Sequence, residues 1–113
     1  MQVQTGELAA PSPSRGLAVL LGVLALTVAA YLGIWSLDWT GWDDTAYVTH
    51  NPLMTAPDGL ARIWTSNQSE QFYPLTFSLY WAEYRWFGAA AGGYHAVGLG
   101  LHLLCVLALW TLL

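Results

Sequence analysis

Two long apolar stretches frame this chain, and a polar, aromatic-rich segment separates them. The first runs from Gly16 to Leu37 without an ionisable residue. About 20 such residues, rising about 1.5 Å each, cross the roughly 30 Å of bilayer hydrocarbon. The pattern predicts a transmembrane helix over 16–37, with Tyr31 and Trp35 at its far interface. A cleaved signal peptide is the alternative. Its apolar part would be about 7–15 residues behind a positive flank, whereas here the run is longer and the flank holds only Arg15. Residues 1–15 are polar, with Pro11 and Pro13 and no period, and read as a short tail. The second stretch, Tyr94 to Leu113, predicts another span. It stops without a flanking charge, so the expectation is a truncated helix and a fragment of a larger multi-spanning fold.

The middle segment, 38–93, is where the pattern changes. Asp43 can cap a short helix running through Tyr47 toward His50, and Pro52 ends it. Asp58 can cap a second short helix, Gly59 to about Thr65, with Leu60, Ile63 and Trp64 on one face. Asn67 to Glu70 is a turn or loop. Pro74 suits the first turn of a longer helix and Gly88 its end. Between them Phe77, Tyr80, Trp81, Tyr84 and Phe87 recur at three- and four-residue steps, one helical face. Beside a membrane span, such a helix most simply lies in the interface. Ala89 to Gly93 is a small-residue hinge. The fold class is therefore an all-α membrane protein: two transmembrane helices joined by an extracytoplasmic loop with short juxtamembrane helices.

Composition strengthens that picture. Of 113 residues, 56% are hydrophobic and 9% charged, against about a quarter charged in ordinary soluble domains. There is no lysine, and the three arginines are Arg15, Arg62 and Arg85. Nucleic acid is excluded as a partner on that ground, since phosphate neutralisation needs a basic surface. Six of the seven acids lie between Asp38 and Glu83. Under the positive-inside rule Arg15 puts the N-terminus in the cytoplasm and the acidic segment outside. The single cysteine, Cys105, excludes an internal disulfide and any paired-cysteine site, and reads as a buried structural thiol.

Chemistry concentrates at Asp43 and Asp44. Adjacent carboxylates at a membrane edge repel one another, which suits a general base or a grip on an acceptor hydroxyl or a divalent metal. The plain alternative is a helix cap followed by a first-turn acid. Tyr47, four residues after Asp43, would share its face and either bond to the carboxylate or pack. His95 and His102 stand seven apart on one side of the second span, with Gly98 between them, as for contact with another helix. Arg62 and Arg85 could meet a lipid phosphate or could pair with Glu70, Glu83 or headgroups. No third close ligand supports a zinc site, and no phosphate loop or hydrolase elbow is present.

The run Trp42-Asp43-Asp44-Thr45-Ala46-Tyr47-Val48-Thr49-His50-Asn51-Pro52, then Tyr73-Pro74-Leu75-Thr76, Trp81-Ala82-Glu83-Tyr84-Arg85-Trp86-Phe87-Gly88, Gly93-Tyr94-His95 and His102, resembles the N-terminal portion of the C-type membrane glycosyltransferases. The nearest subgroup is the protein O-mannosyltransferase-like proteins that carry tetratricopeptide repeats. The resemblance covers about Asp38 onward and departs at Gly98 and Cys105, where asparagine is common. It implies a multi-pass protein, expected in a bacterial inner membrane, with its active-site loop extracytoplasmic. It implies a polyprenyl-phosphate sugar donor, a protein or glycan acceptor, and membrane lipid as partners. Asp43 is then the catalytic candidate with Asp44 beside it, and Tyr47, Arg62, Arg85 and His95 are substrate-binding candidates. No cofactor is implied with certainty; a divalent metal between the acids stays open. The competing expectation is a non-enzymatic two-span protein that binds lipid or a partner through its aromatic helix.

Overall fold

A computed structural model describes residues 12–69 and 71–112. All regular structure among them is helical. Helix α1, Pro13–Ala30, begins behind Ser12 with Pro13 at its first position, where the missing N–H costs nothing. Arg15 therefore sits in the first helical turn rather than in a tail. The α-helix stops at Tyr31 and tightens into a 3-10 segment, Leu32–Ser36, so the apolar run 16–37 is one span with a tightened end. Helix α5, Ala91–Trp110, begins inside the stretch expected to be a hinge. With 18 and 20 residues, α1 and α5 measure about 27 and 30 Å. Both are long and apolar enough to cross a membrane.

The two spans run antiparallel. A side-chain carbon placed at Gly16 would lie 3.9 Å from the Trp110 ring, and Tyr31 meets His102 at 5.8 Å between ring centroids. The start of α1 thus adjoins the end of α5, and the described residues between Leu37 and Ala90 are gathered at the opposite end.

That gathered segment folds on itself. A π-helical turn, Thr45–Thr49, is followed by α2, Pro52–Thr55, by α3, Gly59–Thr65, and by α4, Pro74–Phe87. Proline 52 closes the first turn as expected, but it also opens α2: Asn51 accepts a hydrogen bond from the Leu53 N–H at 2.9 Å and caps the new helix. Leu53, Met54, Ile63 and Phe77 form a buried core, and Tyr47, Tyr80, Trp81 and Tyr84 pack around it. The aromatic face of α4 consequently turns onto α2 and α3. On α3 only Gly59 and Ile63 are buried; Trp64 leans outward and donates to Ser78 Oγ at 2.9 Å. Of the expected loop 67–70, Glu70 lies outside the described residues.

Two glycines hold this unit together. A β-carbon at Gly59 would stand 1.9 Å from the Leu53 carbonyl oxygen, so only glycine lets α3 approach α2. Gly88 ends α4 at φ 60°, a left-handed conformation that glycine adopts without strain. Tyr94 then donates its hydroxyl to the Gly88 carbonyl at 2.8 Å, and the Trp39 indole donates to Ala89 O at 2.7 Å. The first bond fastens the end of α4 to α5, and the second ties the first loop to the α4–α5 connection. Cys105, expected to be buried, is exposed on α5.

Candidate active site

The head unit and the top of α5 border a half-open cavity of about 740 Å³. That size is within the range of ligand sites, about 300–1,000 Å³. Three elements wall it. Leu75, Thr76, Leu79, Tyr80 and Glu83 supply one face of α4. Tyr94, His95, Gly98 and Leu101 supply one face of α5, and Asp38 to Thr40 with Asp44, Tyr47 and Val48 close it from the first loop. An aromatic chain runs along the walls: Trp39 meets Tyr94 at 4.9 Å, Tyr94 meets Tyr80 at 6.3 Å, Tyr80 meets Phe77 at 6.2 Å, and Phe77 meets Tyr47 at 5.3 Å. Edge contacts of this kind fix ring positions and so fix the cleft's shape.

Of the expected site residues, Asp44, Tyr47 and His95 line this cavity. Asp43 does not; it is exposed on the outer side of the same turn. The two acids therefore face different environments. Asp44 does not cap the turn it precedes. Its Oδ2 instead accepts from the Thr40 N–H at 2.8 Å and from the Thr40 hydroxyl at 2.7 Å. Those two bonds hold the carboxylate at the cavity edge.

Neither arginine of the head unit reaches the cavity. Arg62 pairs with Asp58 at 3.4 Å, and its Nε and Nη2 both donate to the Gln68 side-chain oxygen. This takes Asp58 away from the helix-capping role, and no side-chain cap bond forms at α3. Arg85 donates to the Ala56 carbonyl at 2.9 Å and stacks 4.5 Å over the Trp81 ring. Both guanidinium groups brace the packing of α2, α3 and α4. His102 lies further down α5, where it shares a smaller groove with Tyr31, Ile34, His95 and Gly98. The stripe of small and polar residues on α5 thus faces the end of the first span.

Glu83 is the residue that sequence reasoning left out of the site. It is 3% exposed, lines the cavity, and its Oε2 is buried with no hydrogen-bond partner. Burial pushes its carboxyl up to about 7, because removing it from water disfavours the charged form. The neighbouring Tyr80 phenol is also raised, first by burial and then by the Glu83 and Asp44 carboxylates. The Nε2 of His95 is a second buried, unpartnered atom on the same cavity. A signal for Glu83 was present in the sequence. It falls three residues after Tyr80 and four before Phe87, an acid on an aromatic stripe. Among the described residues no three His, Cys, Asp or Glu side chains come together as a metal site.

Comparison with known proteins adds one relative. Over 109 residues the chain is 26% identical to a protein O-mannosyl-transferase of Caenorhabditis elegans. The alignment covers 88% of this chain and only 16% of the relative. No family model matches the chain, and no solved structure matches it. The chain is thus similar to a small part of a protein O-mannosyl-transferase, and its two apolar helices fit an integral membrane protein.

Proposed function

We propose that this chain is part of a membrane glycosyltransferase that moves a mannose-like sugar from a polyprenyl-phosphate donor to a protein hydroxyl or a glycan. The observation that carries this reading is the placement of Asp44, held by Thr40, on a cavity at the head of two candidate spans. The similarity to an O-mannosyl-transferase supports the choice of reaction. A lipid-linked sugar has to react where hydrocarbon meets water, and in this reading the cavity, at one end of the two apolar helices, lies at that level.

In this reading the acid pair Asp43 and Asp44 belongs to the site, and Asp44 is the member that meets the substrate. The acceptor O–H attacks the anomeric carbon, and its proton passes to the carboxylate as the new C–O bond forms. The bond from the anomeric carbon to the phosphate oxygen breaks, and polyprenyl phosphate leaves with that electron pair. Tyr47 and His95 line the same cavity and contact the substrate. The cavity lining contains no arginine, so the counter-charge for the phosphate comes from outside that lining. The head unit, by this account, is extracytoplasmic.

Single substitutions in the full-length protein test the reading. Asp44→Asn is expected to lower mannosyl transfer by about 100-fold or more, the scale of a lost general base, with membrane insertion unchanged. Asp43→Asn, on the outer side of the turn, is expected to cost less. Normal transfer by the Asp44→Asn protein would refute the assignment. The reverse ranking of the two variants would move the catalytic role to Asp43.

A further inference from the structure

Two buried polar atoms on the cavity have no protein partner: Oε2 of Glu83 and Nε2 of His95. Buried polar groups are paired in the great majority of proteins, and leaving one unpaired costs stability. A carboxyl on a residue only 3% exposed, on a helix face shared with Leu75, Thr76, Leu79 and Tyr80, is therefore an expense to the fold. An unbranched apolar residue would pack there at lower cost. Both residues line a space large enough for a ligand, and they come from different helices, α4 and α5.

The surroundings restrict what that ligand can be. A hydrocarbon tail would leave both atoms unpaired. A phosphate would meet the carboxylates of Asp38, Asp44 and Glu83 with no arginine in the lining. A metal ion would want three or more ligating side chains together, and none such are found among the described residues. A hydroxyl both donates and accepts, so it satisfies a carboxyl in either protonation state and an imidazole in either tautomer. A ring bearing several hydroxyls can satisfy both atoms at once while its apolar face rests on Tyr80 or Tyr94, which line the same space. We propose that Glu83 and His95 form a hydroxyl-binding subsite that grips the sugar ring of the donor beside Asp44.

This inference rests on the glycosyl-transfer reading and deepens it by naming the contacts to the sugar. The test compares two probes bound to the full-length protein in lipid vesicles: undecaprenyl-phosphate mannose and undecaprenyl phosphate without the sugar. The wild type is expected to prefer the mannosylated lipid. Glu83→Met keeps the shape of the side chain without its oxygens. It is expected to weaken binding of the mannosylated lipid by about 10- to 100-fold, the size of hydrogen bonds to an ionisable group. Affinity for the sugar-free lipid is expected to stay unchanged. Glu83→Gln, which can still donate and accept, is expected to keep most of the preference. His95→Phe provides the same reading from the other helix should the methionine variant fail to fold. Variants that retain the wild-type preference would overturn the subsite and leave the glycosyl-transfer reading intact. A wild type that does not distinguish the two lipids would overturn both. Equal weakening for both lipids would also overturn the subsite, since the sugar would not be what Glu83 holds.

Discussion

The head unit and the two spans are both helical and both rich in apolar residues, yet they use those residues in opposite ways. In the head, Leu53 and Met54 are 0% exposed and Ile63 and Phe77 1%. In α1 no residue is buried, and Leu26 is 73% exposed. The head closes a core of its own from four short elements. The two candidate spans leave leucines outward, a pattern that fits helices whose solvent is lipid, where association relies on small residues and packing rather than on burial. The cavity lies where the two regimes meet, with two walls from the head and one from α5. Its polar groups therefore depend on a water-type core to position them and on a membrane-type helix to complete them.

The largest expected effect breaks the head and spares the spans. Phe77 sits at the centre of the core and contacts both Tyr47 and Tyr80 edge-on. Phe77→Ala is expected to destabilise the head by about 3–5 kcal/mol, as for other buried phenylalanines. Hydrogen exchange of the backbone amides of 45–87 would register the loss, while the amides of α1 and α5 stay protected. Leu26→Ala, an equal change of type on the span, is expected to leave the head's exchange unaltered. Equal loosening of both regions by Phe77→Ala would show that the head has no core independent of the spans.

Gly59→Ala is next. The added carbon meets the Leu53 carbonyl, a backbone atom that cannot swing aside. Separation of α2 from α3 is expected to cost about 1–3 kcal/mol, the range for overpacking. Thermal unfolding in detergent, followed by tryptophan fluorescence, would measure it. An unchanged midpoint would mean that α2 and α3 do not approach as described. Asn51→Ala is smaller: it removes the α2 cap and the bond to the Tyr47 carbonyl at 3.2 Å. About 1 kcal/mol is expected for such a cap, read in the same melt, with no change in the spans.

The same contrast explains what could be read from sequence. The spans were legible because an uninterrupted apolar run needs no knowledge of partners. So were the bounds of α4, since Pro74 and Gly88 carry their meaning locally. Helix α2 was not: Pro52 read as a stop, and its second role required Asn51 to turn back on the following N–H. The use of the α4 aromatic face was also hidden. Period alone does not distinguish a face resting on lipid from one resting on α2 and α3. At the site, the acid pair and His95 stood out by type, but which acid turns inward is decided by Thr40, whose hydroxyl carries no signature. Arg62 and Arg85 looked available for phosphate only because Gln68 and the Ala56 carbonyl could not be placed beside them. Glu83 was missed because an acid on a helix reads as solvated until its stripe is known to be buried.

Titration tests whether Glu83 belongs to the buried head or to open water. Burial raises its carboxyl to about 7 from the 4.5 of an ordinary glutamate. The folded head therefore holds this proton more tightly than the unfolded chain does. Between pH 4.5 and about 7 the folded state binds more protons, so stability falls as pH rises through that window. The contribution is whole below the unfolded value and gone above the folded one. This slope is opposite to that of a carboxylate stabilised by an ion pair. Melting the wild type and the Glu83→Gln variant from pH 4 to pH 8 would isolate it, because the amide does not titrate. The difference between them is expected to shift steadily against the wild type as pH rises and to level off above about 7. A difference that stays flat across the range would place Glu83 in water, outside the aromatic wall of the cavity.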